Sequence, residues 1–184
     1  VVSAILNITP DHLNRHHTMD NYSMAKAKIF ANQDESGYCI INGDDEICCR
    51  LAENCRAKVR MFSLEKELQD GAFLKDGTLV IADGGQVTEL CRRDELKIIG
   101  RHNIQNALAA AAISFYAGIP APVIREGLIN FGGVEHRIEY CGSVDGVKYY
   151  NDSKATNVDA AVTAIEAIGK DIILIAGGDG KGQD

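Results

Sequence analysis

Apolar, β-rich runs at residues 1–8, 38–42 and 58–63 alternate with segments of helical character, and this alternation is the strongest constraint on the fold. A strand that is apolar on both faces must be covered on both sides, and helical crossovers between parallel strands do that. The class is therefore α/β. Residues 72–90 break the rhythm: Asp76-Gly77 and Asp83-Gly84-Gly85 separate short strands in the manner of antiparallel hairpins. An Ala-rich helix is expected over residues 103–117, closed by Gly118 and Pro120, and Pro122 opens another to about residue 130. Gly132-Gly133 reads as a domain boundary, dividing 1–133 from 134–184. Beyond it come a hairpin around Asp145-Gly146, a helix at 158–168 and a strand at 171–176.

Composition narrows the function classes. At 184 residues, 46% hydrophobic and 24% charged, the chain can bury a core. No run of about 18 apolar residues exists, so no membrane span is expected. Lys+Arg 19 against Asp+Glu 26 leaves −7, which argues against an extended nucleic-acid surface. The six cysteines form no C-x-x-C pair and read as reduced core thiols of a cytoplasmic protein. No basic segment followed by an apolar stretch marks a secretion leader. The chain opens without Met inside a strand and closes just after another, so a segment of a longer protein is expected.

Several residues can carry chemistry. Thr9 and Pro10 read as the start of a helix, and Asp20 as the cap of a second one running to about residue 32. On that second helix Tyr22, Ala25, Ile29 and Phe30 share a face, with Lys26 in its middle. A lysine there either snorkels to water or is desolvated beside a charged site. His12 follows a buried strand, where open α/β sheets bind ligands; it suits a metal ligand, an acid–base group or a structural histidine. Asn103 and Asn106 lie three apart at a helix start, and capping accounts for Asn103 alone. Two carboxamides together suit an adenine edge or a ribose.

The segment Tyr150-Asn151-Asp152-Ser153-Lys154-Ala155-Thr156-Asn157 joins a strand to a helix with more acid, base, hydroxyl and amide groups than a turn and cap require. Gly177-Gly178-Asp179-Gly180-Lys181-Gly182 is not a nucleotide phosphate loop, because Lys181 is followed by Gly182 rather than Ser or Thr. Lys181 still suits a phosphate or carboxylate at a strand's carboxyl end.

Taken in this order, five segments resemble the Mur ligases, ATP-dependent enzymes that add amino acids to the peptidoglycan precursor. They are Leu6-Asn7-Ile8-Thr9-Pro10-Asp11-His12-Leu13, Tyr22-x-x-Ala25-Lys26-x-Lys28-Ile29, His102-Asn103-x-x-Asn106-Ala107, His136-Arg137-Ile138-Glu139, and Asn151 to Asn157 with Gly177 to Lys181. Asp-Ser-Lys-Ala-Thr-Asn resembles the D-glutamate-adding branch, since sister ligases carry other residues there. The resemblance implies that His12 and a carbamylated Lys26 hold Mg²⁺, of which two ions are expected. It implies that Asn103 and Asn106 contact the adenine, that Arg137 reaches the phosphates or ribose, that Asp152 contacts the ribose, that Lys154 and Thr156 line the phosphate and substrate side, and that Lys181 binds D-glutamate. His12, Lys26 and Lys154 would be the catalytic residues.

The implied fold is part of a P-loop-type central ATPase domain, followed by the start of a Rossmann-like C-terminal ligase domain. The family's Gly-Lys-Thr/Ser loop would lie upstream of Val1, so the 184 residues alone are expected to be inactive. The implied substrates are ATP, UDP-N-acetylmuramoyl-L-alanine and D-glutamate, with no nucleic acid and no membrane as partners. ATP would phosphorylate the precursor carboxylate, and the amino acid's amine would displace phosphate from the acyl phosphate. The alternatives are another ligase of the superfamily, such as a folylpolyglutamate synthase, or a nucleotide-binding module without catalysis.

Overall fold

A computed structural model describes residues 1–10 and 13–178. The chain divides into two compact units. The first comprises Val1–Leu96 with Gln105–Asn130; the second comprises Lys97–Ile104 with the described residues from Phe131 onward.

The first unit is built on a six-stranded sheet in the order β1-β2-β3-β4-β5-β6. Its strands are β1 (Val2–Ile5), β2 (Tyr38–Asn42), β3 (Lys58–Ser63), β4 (Gly71–Lys75), β5 (Thr78–Asp83) and β6 (Gln86–Arg92). The first four pair in parallel, with Ile5 opposite Ile41 and Asn42 opposite Phe62. Helices α1 (Leu13–His16) and α2 (Met19–Ala27) connect β1 to β2, and α3 (Glu46–Ala52) connects β2 to β3. Burial follows from this: Cys39, Ile40 and Ile41 are fully enclosed, as strands covered on both faces should be. Ile5, Tyr22, Phe30, Cys48 and Leu51 complete the core between sheet and helices. The last two pairings are antiparallel. Asp76 and Gly77 both have positive φ, as do Gly84 and Gly85, which is the backbone that two-residue hairpin turns need.

Helix α4 (Arg101–Tyr116) buries Ala107, Leu108, Ala109, Ala111 and Ala112. At its end the Tyr116 and Tyr38 rings lie 4.7 Å apart. The Arg60 guanidinium sits 5.5 Å from the Tyr116 ring and 3.6 Å from Asp70. Helix α5 (Ala121–Asn130) follows and is tied to the 93–95 turn by Arg125 Nη2 to Glu95 Oε1 at 2.6 Å. The second unit carries a two-stranded hairpin, β7 (Glu139–Val144) with β8 (Val147–Asn151), and helix α6 (Val158–Ile168).

Several sequence expectations need correction, among them the helix expected to run to about residue 32, whose α-helical part ends at Ala27. The strand expected at 171–176 does not form: residues 172–177 carry no regular structure, and Ile173 and Ile175 are 89% and 93% exposed. An apolar run becomes a strand only when a partner takes its backbone groups, and among the described residues none does. Thr9 and Pro10 start no helix; the Ile8 amide beside them is bound by Asp45 in a non-helical segment. The cap of α2 is Thr18, whose hydroxyl accepts the Asn21 amide at 3.1 Å, and Asp20 sits inside the first turn. Helix α4 begins two residues before Asn103, so Asn103 is not its cap.

The six thiols are free among the described residues. Cys39, Cys48 and Cys91 are buried, and burial pushes Cys39 up to about 11 and Cys48 up to about 12, which keeps both protonated. Cys141 is the exception to a core role, being exposed. No described helix is long and apolar enough to cross a membrane.

Candidate functional site

The second unit gathers the densest set of polar candidates. The Asp145-Gly146 turn folds β7 against β8, which brings the residues before β7 next to those after β8. Asp152 Oδ1 accepts the Ile138 amide at 3.1 Å, and the His136 carbonyl accepts the Lys154 amide at 3.1 Å. Around them, Glu139 Oε2 accepts the His136 amide at 2.8 Å, and Asn151 Nδ2 lies 2.9 Å from His136 Nδ1.

His136 and Ile138 both have positive φ, 66° and 47°. For a β-branched residue such as Ile138 this is a strained conformation, and the bonds around it hold the strain in place. Arg137 stands between the two, so the backbone on both sides of it is fixed while its side chain is exposed.

The first turn of α4 supplies the third group. His102 is half-buried there, and both Asp152 and Arg137 act on its charge. Burial holds the imidazole below its usual range; Asp152 opposes this and Arg137 adds to it. Gly100 lets Ala167 and the His102 ring pack close against the backbone. Its φ is +94°, and a Cβ there would meet Ala167 Cβ at 2.6 Å and the His102 ring at 2.9 Å. A carboxylate and a guanidinium thus act electrostatically on an imidazole in the first turn of α4. A carboxylate accepts ribose hydroxyls, and a guanidinium pairs with phosphate oxygens.

The sequence singled out Arg137 and Asp152, and in the structure both act on the charge of His102. Sequence reading gave no role to His102, Gly100, His136 or Glu139, although their segments were noted. The available signal was a glycine directly before a helix start, the mark of a backbone that must come close to something. In the loaded segment Asn157 is used as the cap of α6, through Ala160 N at 2.8 Å, and Asn151 Oδ1 accepts the Ser153 amide at 3.1 Å. The polar side chains left for a ligand are those of Asp152, Ser153, Lys154 and Thr156, the last three exposed. Asn103 Nδ2 donates to the Ile99 carbonyl at 2.7 Å, and Asn106 lies exposed one turn further on.

In the first unit, Lys26 departs from the sequence reading. The buried positions of α2 are Tyr22, Ser23 and Ala27, while Lys26 is exposed and Ile29 is 55% exposed. The buried stripe is rotated because Ser23 can go inside: its hydroxyl donates to the Asp20 carbonyl at 3.0 Å. Lys26 Nζ lies 5.2 Å from the Tyr22 ring centroid, the snorkelling arrangement rather than a desolvated one. His12 and Lys181 lie outside the described residues. Among the described residues, no three His, Cys, Asp or Glu side chains converge on a metal position.

A parallel-dominated sheet with helical crossovers defines an α/β protein, and the chain belongs to the Mur ligase family: residues 1–114, more than half of it, match the Mur ligase middle domain. Across its whole length it is 45% identical to the UDP-N-acetylmuramoylalanine–D-glutamate ligase of Thermoanaerobacter sp. strain X514, and 46% identical to the ligase of that name from Clostridioides difficile strain 630. The chain spans 40% of the length of each. Its fold is similar to that of MurF from Acinetobacter baumannii, with a TM-score of 0.71 at 22% identity over 88% of this chain and 36% of that one. MurC from Thermotoga maritima gives 0.66 at 22% identity over 91% and 37%.

Proposed function

We propose that the full-length protein is an ATP-dependent ligase that joins D-glutamate to UDP-N-acetylmuramoyl-L-alanine in peptidoglycan precursor synthesis in the cytoplasm. The observation that carries this reading is 45% identity over the whole chain to proteins of that name. The superfamily alternative has less support: FolC of E. coli shares the fold, with a TM-score of 0.61, but only 17% identity. In this reading residues 1–133 are the C-terminal part of the central ATP-binding domain and 134–184 the start of the Rossmann-like ligase domain. Small molecules are the partners; nucleic acid and membrane have no part in it.

The residues take roles that suit their chemistry. Asp152 accepts the ribose hydroxyls with the carboxylate oxygen that Ile138 does not use. Arg137 reaches the phosphates from its fixed backbone. Asn103 and Asn106 face the adenine, Lys154 and Thr156 the phosphate and substrate side, and Lys181 the D-glutamate carboxylate. ATP phosphorylates the precursor carboxylate, which is otherwise too poor an electrophile, and the D-glutamate amine displaces phosphate from the acyl phosphate. His12 and a carbamate on Lys26 would hold Mg²⁺, which would offset phosphate charge. Carbamate formation would need the neutral amine of Lys26 and would release one proton, and the product would be the kind of oxygen ligand Mg²⁺ takes.

Phosphate release by the full-length protein tests the reading. It should require ATP, Mg²⁺, precursor and D-glutamate together. Release with a folate acceptor, or with ATP alone, would overturn it.

A further inference from the structure

Glu139 opens β7, and its side chain reaches back three residues to the turn before the strand. Its Oε2 accepts the His136 amide at 2.8 Å. The same oxygen accepts Asn151 Nδ2 at 3.5 Å, from the facing position on β8, and lies 3.6 Å from His136 Nδ1.

The turn does not need the Glu139 bond in order to close. The Arg137 amide already donates to the Val134 carbonyl at 3.1 Å, which closes residues 134–137. What Glu139 adds is a hold on the peptide plane before His136. The plane after His136 is tied by its carbonyl, which accepts the Lys154 amide at 3.1 Å. With both planes tied, His136 stays at a φ of 66°, a left-handed conformation that a residue with a side chain leaves when its backbone is free. On the other side of Arg137, Asp152 Oδ1 holds the Ile138 amide at 3.1 Å, and Ile138 has a φ of 47°. Arg137 therefore stands between two left-handed residues, and a carboxylate accepts the amide of each. The Arg137 side chain is exposed, so the direction in which it leaves the chain is set by this backbone. A His136 released to negative φ would turn the Cα–Cβ bond of Arg137 with it.

We propose that Glu139 is a positioning residue for Arg137, acting through the reach of its carboxylate to the His136 amide and not through its charge. The inference rests on the ligase reading, in which Arg137 pairs with the ATP phosphates.

Three variants of the full-length protein separate reach from charge, with ATP and Mg²⁺ titrated calorimetrically in the absence of the other substrates. Glu139→Gln keeps the reach and removes the charge. Glu139→Asp keeps the charge but is one methylene shorter, and Glu139→Ala loses both. The Kd for ATP should stay within about twofold in Glu139→Gln and rise about tenfold in the other two, since a misdirected guanidinium loses its pairing with phosphate. Amide hydrogen exchange at His136 should speed up about tenfold in those same two variants. Arg137→Ala should raise the Kd about tenfold by itself, and adding Glu139→Asp to it should raise it no further, because the effect passes through Arg137. Should Glu139→Ala fail to fold, the Asp and Gln variants carry the test. A Kd unchanged in Glu139→Asp, or raised as much in Glu139→Gln, would overturn the role assigned to reach. Additive effects of Glu139→Asp and Arg137→Ala would overturn the route through Arg137. A wild-type protein that binds ATP but does not ligate D-glutamate would overturn the substrate reading and leave these comparisons standing, whereas one that does not bind ATP would overturn both.

Discussion

Asp152 Oδ1 accepts the Ile138 amide at 3.1 Å, so the residue just after β8 holds the residue just before β7. Ile138 has a φ of 47°, a left-handed conformation that costs a side-chain-bearing residue about 1–2 kcal/mol. The bond helps offset that cost and fixes the backbone beside Arg137. One carboxylate oxygen is thus structural.

Two substitutions at Asp152 should divide these roles. Asp152→Asn keeps an acceptor for the Ile138 amide and removes the charge, so the melting temperature should hold while the KM for ATP rises. Asp152→Ala removes the acceptor too and should cost about 1 kcal/mol of stability in addition. Equal melting temperatures for the two variants would show that the Ile138 bond contributes nothing.

His102 gives a pH signature. Burial, its largest influence, lowers the imidazole below 6.5, so the folded state favours the neutral ring. Stability from this source is complete above 6.5 and is lost as pH falls through the lowered folded value, because the unfolded chain takes up the proton first. Thermal midpoints of the full-length protein between pH 7.5 and 5 should therefore decline, and His102→Gln should flatten part of the decline. The same slope in both proteins would remove His102 as its source.

Much of the frame was legible. β2, β3 and α6 have the bounds the sequence predicts, because each is a run of one hydrophobic period between clear stops. The two glycine turns of the meander were legible for the same reason. Local pattern did not decide the phase of α2, where a self-satisfied Ser23 replaces Ile29 in the core. Nor did it decide residues 172–177, since strand formation depends on a partner. At the site, Arg137 and Asp152 were visible as residue types, but the bond from the Ile138 amide beside Arg137 to Asp152 depends on a hairpin that brings distant segments together.

Gly71 should be far less tolerant than Gly77, although both have positive φ. A Cβ at Gly71 would run into the Met61 backbone carbonyl where β4 pairs with β3, whereas at Gly77 nothing lies within 4 Å. Gly77→Ala should cost about 1 kcal/mol for its backbone alone. Gly71→Ala should cost about 3 kcal/mol, because the parallel pairing must shift. Denaturant midpoints compare the two, and equal losses would mean that the Met61 contact relaxes freely.

Lys26 offers the sharpest division between a structural and a chemical role. Its Nζ lies 5.2 Å from the centroid of the Tyr22 ring, and at an exposed site such a contact is worth about 0.5–1 kcal/mol. Arginine can make the same contact, but its guanidinium does not add CO₂ to form a carbamate. Lys26→Arg should therefore keep the melting temperature of the full-length protein and lose about a hundredfold in ligation, the order expected when support to a metal is removed. Lys26→Met should lose both the ring contact and the ligation. A ¹³C carbamate resonance should appear when the wild-type protein is incubated with labelled bicarbonate and Mg²⁺, and it should be absent from Lys26→Arg. Full activity in Lys26→Arg would reduce this lysine to its contact with Tyr22 and end the carbamate proposal.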